Sequence, residues 1–319
     1  MRAYSRLFIM NKPILCIGGS LVDETFYCNQ PPIRGTSNPA YIEKSAGGVV
    51  RNIAHHLALL GHNTQLLTII GNDAEGEWLV KQCEAAGINM QHAVRMNGIT
   101  GRFSAILGPD GELFVGTVVN ELEPLLNSKI LEQKTDLLLS AKLIITDTNM
   151  SPECIQWLLN FCAKEKIPCV VEPVSIPKAS KLSGMDLSAL FLITPNEVEL
   201  SAVQSVSPEP GVESAIQALR DRGVKQVWLR MGDKGSIMFD GKEPLSLHAP
   251  EVNVIDSTGA GDAALAGWVH GHMNDSSQMD CIRYGHTLAA LVLQQKGAIL
   301  NSLSKGQLEQ EKQRLYPNE

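Results

Sequence analysis

The run Pro13-Ile14-Leu15-Cys16-Ile17-Gly18-Gly19 is apolar without a break and closes on two glycines. A strand with one face in water alternates apolar and polar residues, whereas one with no alternation is covered on both faces. This run therefore reads as the first strand of a buried sheet, ending in a turn. Thr64–Ile70, Leu143–Thr146, Cys169–Val171, Phe191–Thr194 and Val227–Leu229 read the same way. Helical spacing separates them. Ile53, Leu57 and Leu60 recur at three- and four-residue intervals within Asn52–Leu60, which Gly61 closes, and Gly76–Ala86 is closed by Gly87. From Gly259 onward the pattern is helical, through Ala289-Ala290-Leu291-Val292-Leu293. The alternation predicts an α/β fold, with a mostly parallel central sheet and helices on both of its faces.

Two stretches break the rhythm. Residues 24–46 are rich in Pro, Gly, Asn and Ser, with Tyr41-Ile42-Glu43 as a short strand. Residues 99–119 carry two β-like runs, Phe103–Leu107 and Leu113–Val119, around the turn Pro109-Asp110-Gly111. Neither stretch is long enough to fold alone, so together they are expected to form a small β-sheet lid on the core. The expectation for the whole chain is one domain over residues 1–319, with residues 1–10 as a disordered extension ahead of the first strand.

The composition narrows the class. Of 319 residues, 44% are hydrophobic and 19% charged, enough for a sizeable core and too apolar for a disordered chain. The 27 basic and 34 acidic side chains leave a net charge of −7, which argues against a main role in gripping nucleic acid or an anionic membrane. The seven cysteines form no C-x-x-C pair, which fits a reduced cytoplasm and argues against cysteine-ligated zinc. No apolar run is long enough to span a bilayer. The pairs His55/His56 and His270/His272 read as surface helix residues.

Four segments carry chemistry. Asp256-Ser257-Thr258-Gly259-Ala260-Gly261-Asp262-Ala263 opens a helix rich in small residues. The free amides of a first helical turn bind an anion, and a carboxylate one turn in stands beside it. That pairing suits a base that takes a proton from a hydroxyl while the amides neutralise a transferring group; a favourable dipole partner is the plainer reading. Ser45-Ala46-Gly47-Gly48-Val49-Val50-Arg51-Asn52 again runs glycines into a helix. Gly47 and Gly48 would admit a sugar ring, Asn52 would bond its hydroxyls, and Asp23 would supply a carboxylate to a diol. In Thr194-Pro195-Asn196-Glu197-Val198-Glu199, Asn196 and Glu199 share a helix face and could hold phosphate oxygens and, through water, Mg²⁺, although both are also ordinary capping residues. Arg230-Met231-Gly232-Asp233-Lys234-Gly235 is a glycine turn after a strand, which alone reads as a hairpin. There is no G-x-x-x-x-G-K-[ST], no complete G-x-G-x-x-G, no H-R-D or D-F-G and no G-x-S-x-G. A P-loop NTPase, a dinucleotide Rossmann enzyme, a protein kinase and a serine hydrolase are thereby disfavoured.

In this order the segments resemble the ribokinase (PfkB) family of sugar and nucleoside kinases, over essentially the whole chain from about residue 13. The most specific element is D-[ST]-x-G-A-G-D at 256–262. The resemblance implies ATP-dependent phosphorylation of a primary hydroxyl, with Asp262 as general base and the amides of Gly259, Ala260 and Gly261 as anion hole. It places Asn196, Glu199, Gly232 and Gly235 at the nucleotide, with Mg²⁺ held by Glu199 through water, and Asp23, Gly47, Gly48 and Asn52 at the acceptor. A monovalent cation such as K⁺ near Asp256 and a homodimer through the lid are further implications. Arg51 directly before Asn52, and Glu172-Pro173-Val174-Ser175 leading to Lys178, are similar to the pseudouridine kinase branch, where Arg51 and Lys178 would shape the acceptor or phosphate pocket. Departures are Leu21 in place of a ribokinase Asn, Val118-Val119-Asn120 after the lid strand, and Arg230 where the family often has Ser or Thr. The alternatives are another nucleoside or sugar kinase, for uridine, adenosine, ribose or fructose, and a non-catalytic ligand-binding member.

Overall fold

The computed structural model describes residues 12–204 and 211–317. The extension expected at residues 1–10 lies outside them. The chain begins with β1 (Ile14–Ile17), β2 (Leu21–Cys28) and β3 (Ala40–Gly47), followed by α1 (Val49–Leu59), β4 (Thr64–Leu67), β5 (Ile69–Gly71) and α2 (Ala74–Ala85). Next come β6 (Val94–Met96), β7 (Arg102–Leu107), β8 (Leu113–Val119) and two short helices, α3 (Ser128–Gln133) and α4 (Thr135–Ser140). The alternation resumes with β9 (Leu143–Asp147), α5 (Pro152–Glu165), β10 (Cys169–Glu172), α6 (Ile176–Ala179), β11 (Leu190–Ile193) and α7 (Glu197–Gln204). After α8 (Val212–Asp221) come β12 (Gln226–Arg230), β13 (Ser236–Phe239) and β14 (Leu245–Leu247). Three helices end the chain: α9 (Ala260–Met273), α10 (Gln278–Leu293) and α11 (Lys305–Leu315).

The main sheet has the order β14-β13-β12-β11-β10-β9-β1-β4. Every pairing from β4 to β12 is parallel, and β13 and β14 extend it antiparallel. The absence of alternation in β1 has its physical counterpart here. Leu15 and Ile17 belong to one core layer, Ile14 and Cys16 to the other, and all four are buried. The fold class is as expected: a mostly parallel α/β sheet with helices on both faces and a small separate sheet. That lid sheet has the order β3-β2-β7-β8.

Several local expectations change. The Thr64–Ile70 run is two strands: β4 stays in the main sheet, while β5 leaves it to pair with β6. The break falls at Thr68, whose buried hydroxyl shares a 3.0 Å hydrogen bond with Ser20 and whose carbonyl takes the Val94 amide at 2.8 Å. Helix α1 starts at Val49, not Asn52, because the turn at Gly48 already satisfies the helix entry. The lid gains β2, an eight-residue strand whose polar residues Asp23, Glu24 and Thr25 hid it. The hairpin reading of the 230–235 turn is met by the antiparallel β12–β13 pair.

The histidine expectation is wrong for three of four residues. His55, His56 and His270 are buried, and His272 is half-buried against Trp268. Helix α9 packs on both α1 and α10, which covers faces that the sequence reading left to solvent. His55 Nε2 meets the Leu300 carbonyl at 2.8 Å, the Leu300 amide donates to His56 Nε2 at 3.3 Å, and His62 Nε2 meets His270 Nδ1 at 2.9 Å. Burial holds these imidazoles neutral: His55, His62 and His270 are lowered to about 4 and His56 to about 3.

The unfolded chain takes up a proton at His62 near its ordinary value of 6.5, whereas the folded chain resists until about 4. Stability is therefore lost as the pH falls between those values. His62→Gln should flatten that part of the pH–stability curve relative to the parent, read as denaturant midpoints from pH 7 to 4.

Candidate active site

In a parallel sheet the carboxyl ends of the strands form the crevice in which ligands collect. Around it stand two glycine-led helix starts. At the first, Gly259 caps α9 with φ 75°, and a Cβ there would lie 2.4 Å from the Ala298 carbonyl, so only glycine fits. Asp256 secures the turn. Its carboxylate takes the Thr258 amide and the Gly297 amide, each at 2.9 Å, and these bonds hold its pKa below the usual range in spite of partial burial. The Ala260 amide reaches back to Ser257 at 3.3 Å, and the regular helix bonds begin with Ala263 donating to Gly259 at 2.9 Å.

Asp262 lies one turn into this helix. Burial, with help from the neighbouring charge of Glu172, pushes its carboxyl up to about 7, although a hydrogen bond from Asn52 and the charge of Arg230 oppose the rise. Asn52 Nδ2 donates to Asp262 Oδ2 at 2.8 Å. That bond joins α9 to the second glycine-led helix, α1, where Gly48 has φ 109° and a Cβ would strike the Gly19 carbonyl at 2.5 Å. Gly47 passes so close to Asp23 that a Cβ would sit 2.2 Å from a carboxylate oxygen. Burial raises Asp23 to about 6, and Arg51 opposes it. The structure thus brings Asp23, Gly47, Gly48, Asn52 and Asp262 to one place.

Arg51 stands behind that group and not in it. It is 1% exposed and donates to the Ala46 carbonyl and, at 2.7 Å, to Asn52 Oδ1. It acts on the group through its hydrogen bond to Asn52 and through its charge on Asp23. Lys178 donates to Asn149 Oδ1, and Lys181 beside it gathers the carbonyls of Thr148, Asn149 and Met150 at 2.9, 3.1 and 3.0 Å. Lys178, on α6, therefore braces the loop after β9.

A cleft of about 840 Å³ runs from Asp262 between the α9 turn and the 232–235 turn, lined also by Asn196, Glu199 and Val254. Asn196 and Glu199 bond each other reciprocally: the Asn196 amide gives to Glu199 Oε2 at 3.0 Å and the Glu199 amide to Asn196 Oδ1 at 2.9 Å. This is a helix cap, as the plainer reading held, placed on the cleft wall. Gly232 and Gly235 flank a single 3₁₀ turn on the opposite side. Among the described residues no group of three His, Cys, Asp or Glu side chains is arranged to hold a metal. Glu199 and Asp262 put two carboxylates on one cleft, and so sparse a set of oxygen donors suits a Mg²⁺ that keeps its waters and takes phosphate oxygens, and not a protein cage.

Two acids escaped the sequence reading in their roles. Glu172 was quoted only as part of a string, yet it is 4% exposed and takes both the Thr194 hydroxyl and the Arg230 guanidinium at 2.5 Å. Asp147 is fully buried behind Gly18, with Oδ1 on the Asn149 amide at 2.8 Å and Oδ2 unpartnered, and burial raises it to about 7. The available signal was position: each is an acid at the carboxyl end of an otherwise apolar buried strand.

The fold and this site define a small-molecule phosphotransferase. The chain belongs to the pfkB family of carbohydrate kinases, whose profile matches residues 12–305. It is 33% identical over 263 residues to the uncharacterized sugar kinase YeiI of Escherichia coli (strain K12), covering 81% of this chain and 72% of that one. It is 30% identical over 266 residues to the pseudouridine kinase of the same organism, covering 81% and 84%. The structure of Arabidopsis thaliana ribokinase complexed with ribose and ATP superposes with a TM-score of 0.81 at 22% identity, over 94% and 98% of the two chains. The protein is accordingly an ATP-dependent kinase that acts on a small sugar or nucleoside. No helix among the described residues is long and apolar enough to cross a membrane.

The Asn52 hydrogen bond favours the charged form of Asp262, so its loss should raise the Asp262 pKa above about 7. Carboxyl ¹³C titration of parent and Asn52→Ala, with Asp262 assigned by substitution, should show that upward displacement.

Proposed function

We propose that this kinase transfers the γ-phosphoryl group of ATP to the 5′-hydroxyl of pseudouridine. The observation that carries the chemistry is Asp262, raised to about 7, one turn into the helix that Gly259 caps and bonded to Asn52. In this reading Asp262 takes the hydroxyl proton, and the amides of Gly259, Ala260 and Gly261 receive the charge of the transferring group. Catalysis is then mostly positioning and neutralisation. Asp23, Gly47, Gly48 and Asn52 hold the ribose, Arg51 stiffens Asn52 from behind, and Lys178 borders the pocket through Asn149. Asn196, Glu199, Gly232 and Gly235 take the nucleotide. Mg²⁺ near Glu199 would supply charge at the phosphates, and Asp256 marks the place for a monovalent cation such as K⁺. Support for the acceptor is the 30% identity to a pseudouridine kinase together with Arg51 before Asn52 and the Glu172–Lys178 string. A different sugar or nucleoside is the second reading, favoured by the 33% identity to a sugar kinase of unassigned substrate.

Core and lid share the acceptor site and act as one domain of a cytoplasmic enzyme in this account. The lid also supports a homodimer. Its register sets Ile42, Phe26, Ile106 and Val115 side by side across four strands, with Ile42 and Val115 about half exposed. Such a sheet face is normally covered. Sedimentation should show a dimer for the parent and a monomer for the Ile42→Glu/Val115→Glu double variant; a monomeric parent would end the dimer proposal.

ADP release measured with pseudouridine, uridine, adenosine, ribose and fructose tests the acceptor. Pseudouridine should give the highest kcat/KM, rising with pH through about 7 as Asp262 ionises. Equal rates with uridine would remove the C-nucleoside reading. Asp262→Asn should cut turnover by about 10³-fold with ATP binding retained, the range of a lost general base.

A further inference from the structure

We propose that Arg230 is a catalytic residue whose guanidinium contacts the transferring phosphoryl group. The inference rests on Asp262 and the Gly259–Gly261 turn being the transfer centre. Among the described residues lining the cleft, Arg230 is the one basic side chain, set against the acids Glu172, Glu199, Asp233, Glu251 and Asp262. A polyanionic nucleotide cannot settle among five carboxylates on helix amides alone, since a helix terminus offers only about half a unit charge. Beside the Mg²⁺ of the proposed reaction, Arg230 is in place to supply fixed positive charge at the phosphate end.

Its geometry points the same way. Nη1 donates to the Gly261 carbonyl at 2.9 Å, so the guanidinium lies against the peptide unit next to the anion-binding amides. Nη2 donates to Glu172 Oε1 at 2.5 Å, and the main-chain amide is anchored on the Pro195 carbonyl at 2.9 Å. The arginine therefore ties together the α9 turn, the end of β10 and the loop entering α7. Glu172 in turn is fixed by the Thr194 hydroxyl. A guanidinium carries five N–H donors in a rigid fork. The bonds to Glu172 and Gly261 occupy two and leave others for phosphate oxygens. Residues with Ser or Thr at this position could offer a hydroxyl but no charge.

In the transfer, the acceptor hydroxyl gives its proton to the Asp262 carboxylate and its oxygen forms the new bond to the γ-phosphorus. The bond from that phosphorus to the β,γ-bridging oxygen breaks, and ADP leaves with the electron pair. Negative charge builds on the equatorial phosphoryl oxygens, where the Arg230 donors and the helix amides meet it.

Calorimetric binding of ADP and of the non-hydrolysable analogue AMP-PNP, each with Mg²⁺, separates this role from a structural clamp. Arg230→Met should lower kcat by about 10²–10³-fold, the range for losing one preorganised charge contact. It should weaken AMP-PNP by roughly tenfold or more while ADP stays within about twofold, because only the former carries a γ-phosphate. Equal weakening of both nucleotides, or turnover within about threefold of the parent, overturns the proposal. Should Arg230→Met fail to fold, Arg230→Lys keeps the charge without the fork and is read in the same way: selective loss of AMP-PNP affinity supports the contact, equal loss overturns it. Failure of the transfer centre itself would show separately, as full activity in Asp262→Asn.

Discussion

Two helices begin on glycines because their first turns must come within touching distance of other backbone, and they begin facing each other. Gly48 packs on the Gly19 carbonyl and Gly259 on the Ala298 carbonyl, and neither approach leaves room for a Cβ. With the turns so placed, α1 and α9 lie against one another, and one hydrogen bond from Asn52 to Asp262 spans 210 residues of sequence. The rest of the site is arranged around that closure. Asp23 and Gly47 reach it from the small sheet and Gly48 from the start of α1, and the cleft lined by Asn196 and Glu199 opens on the same carboxylate.

Charge in the cleft follows from burial. Asp23, Asp147 and Asp262 all sit where water is scarce, and all three are raised, to about 6, 7 and 7. A buried carboxylate near 7 can accept a proton without being locked in the charged state, which is the requirement for a base at neutral pH. The net charge of −7 therefore does not conflict with a phosphorylated ligand. In the proposed reaction the anion is met locally, by helix amides and by Arg230, and not by a basic surface. The helices behind the site carry an opposite adaptation: His55, His56 and His270 are buried and neutral, trading surface polarity for hydrogen bonds that tie α1 and α9 to their surroundings.

Much of this was readable in the residues. Strands buried on both faces leave an unmistakable apolar run, which is why β1, β9, β10, β11 and β12 were found within a residue or two. The lid strand β2 was not, because Asp23, Glu24 and Thr25 interrupt its apolar residues, and this mimics a loop. The histidines misled for the converse reason: a polar ring can be buried whenever a partner across the fold satisfies it. The candidate site was legible where glycine and acid fall in a helix-start pattern, at 47–52 and 256–262. It was not legible at Asp147, which has no motif around it, and at Glu172 and Arg230 the quoted segments did not show that the two side chains pair.

The sequence by itself determined the parallel α/β core, the glycine-led helix starts and the family, since period, turn chemistry and short motifs are local properties. Only the tertiary structure decided which side chains share a charge environment. It set Arg51 behind Asn52 and outside the pocket, put the Asn196–Glu199 cap on the cleft wall, and brought Arg230 between Glu172 and Gly261. Those pairings depend on the order in which strands lie side by side in the sheet, and strand order is written in long-range packing that no local stretch of residues reveals.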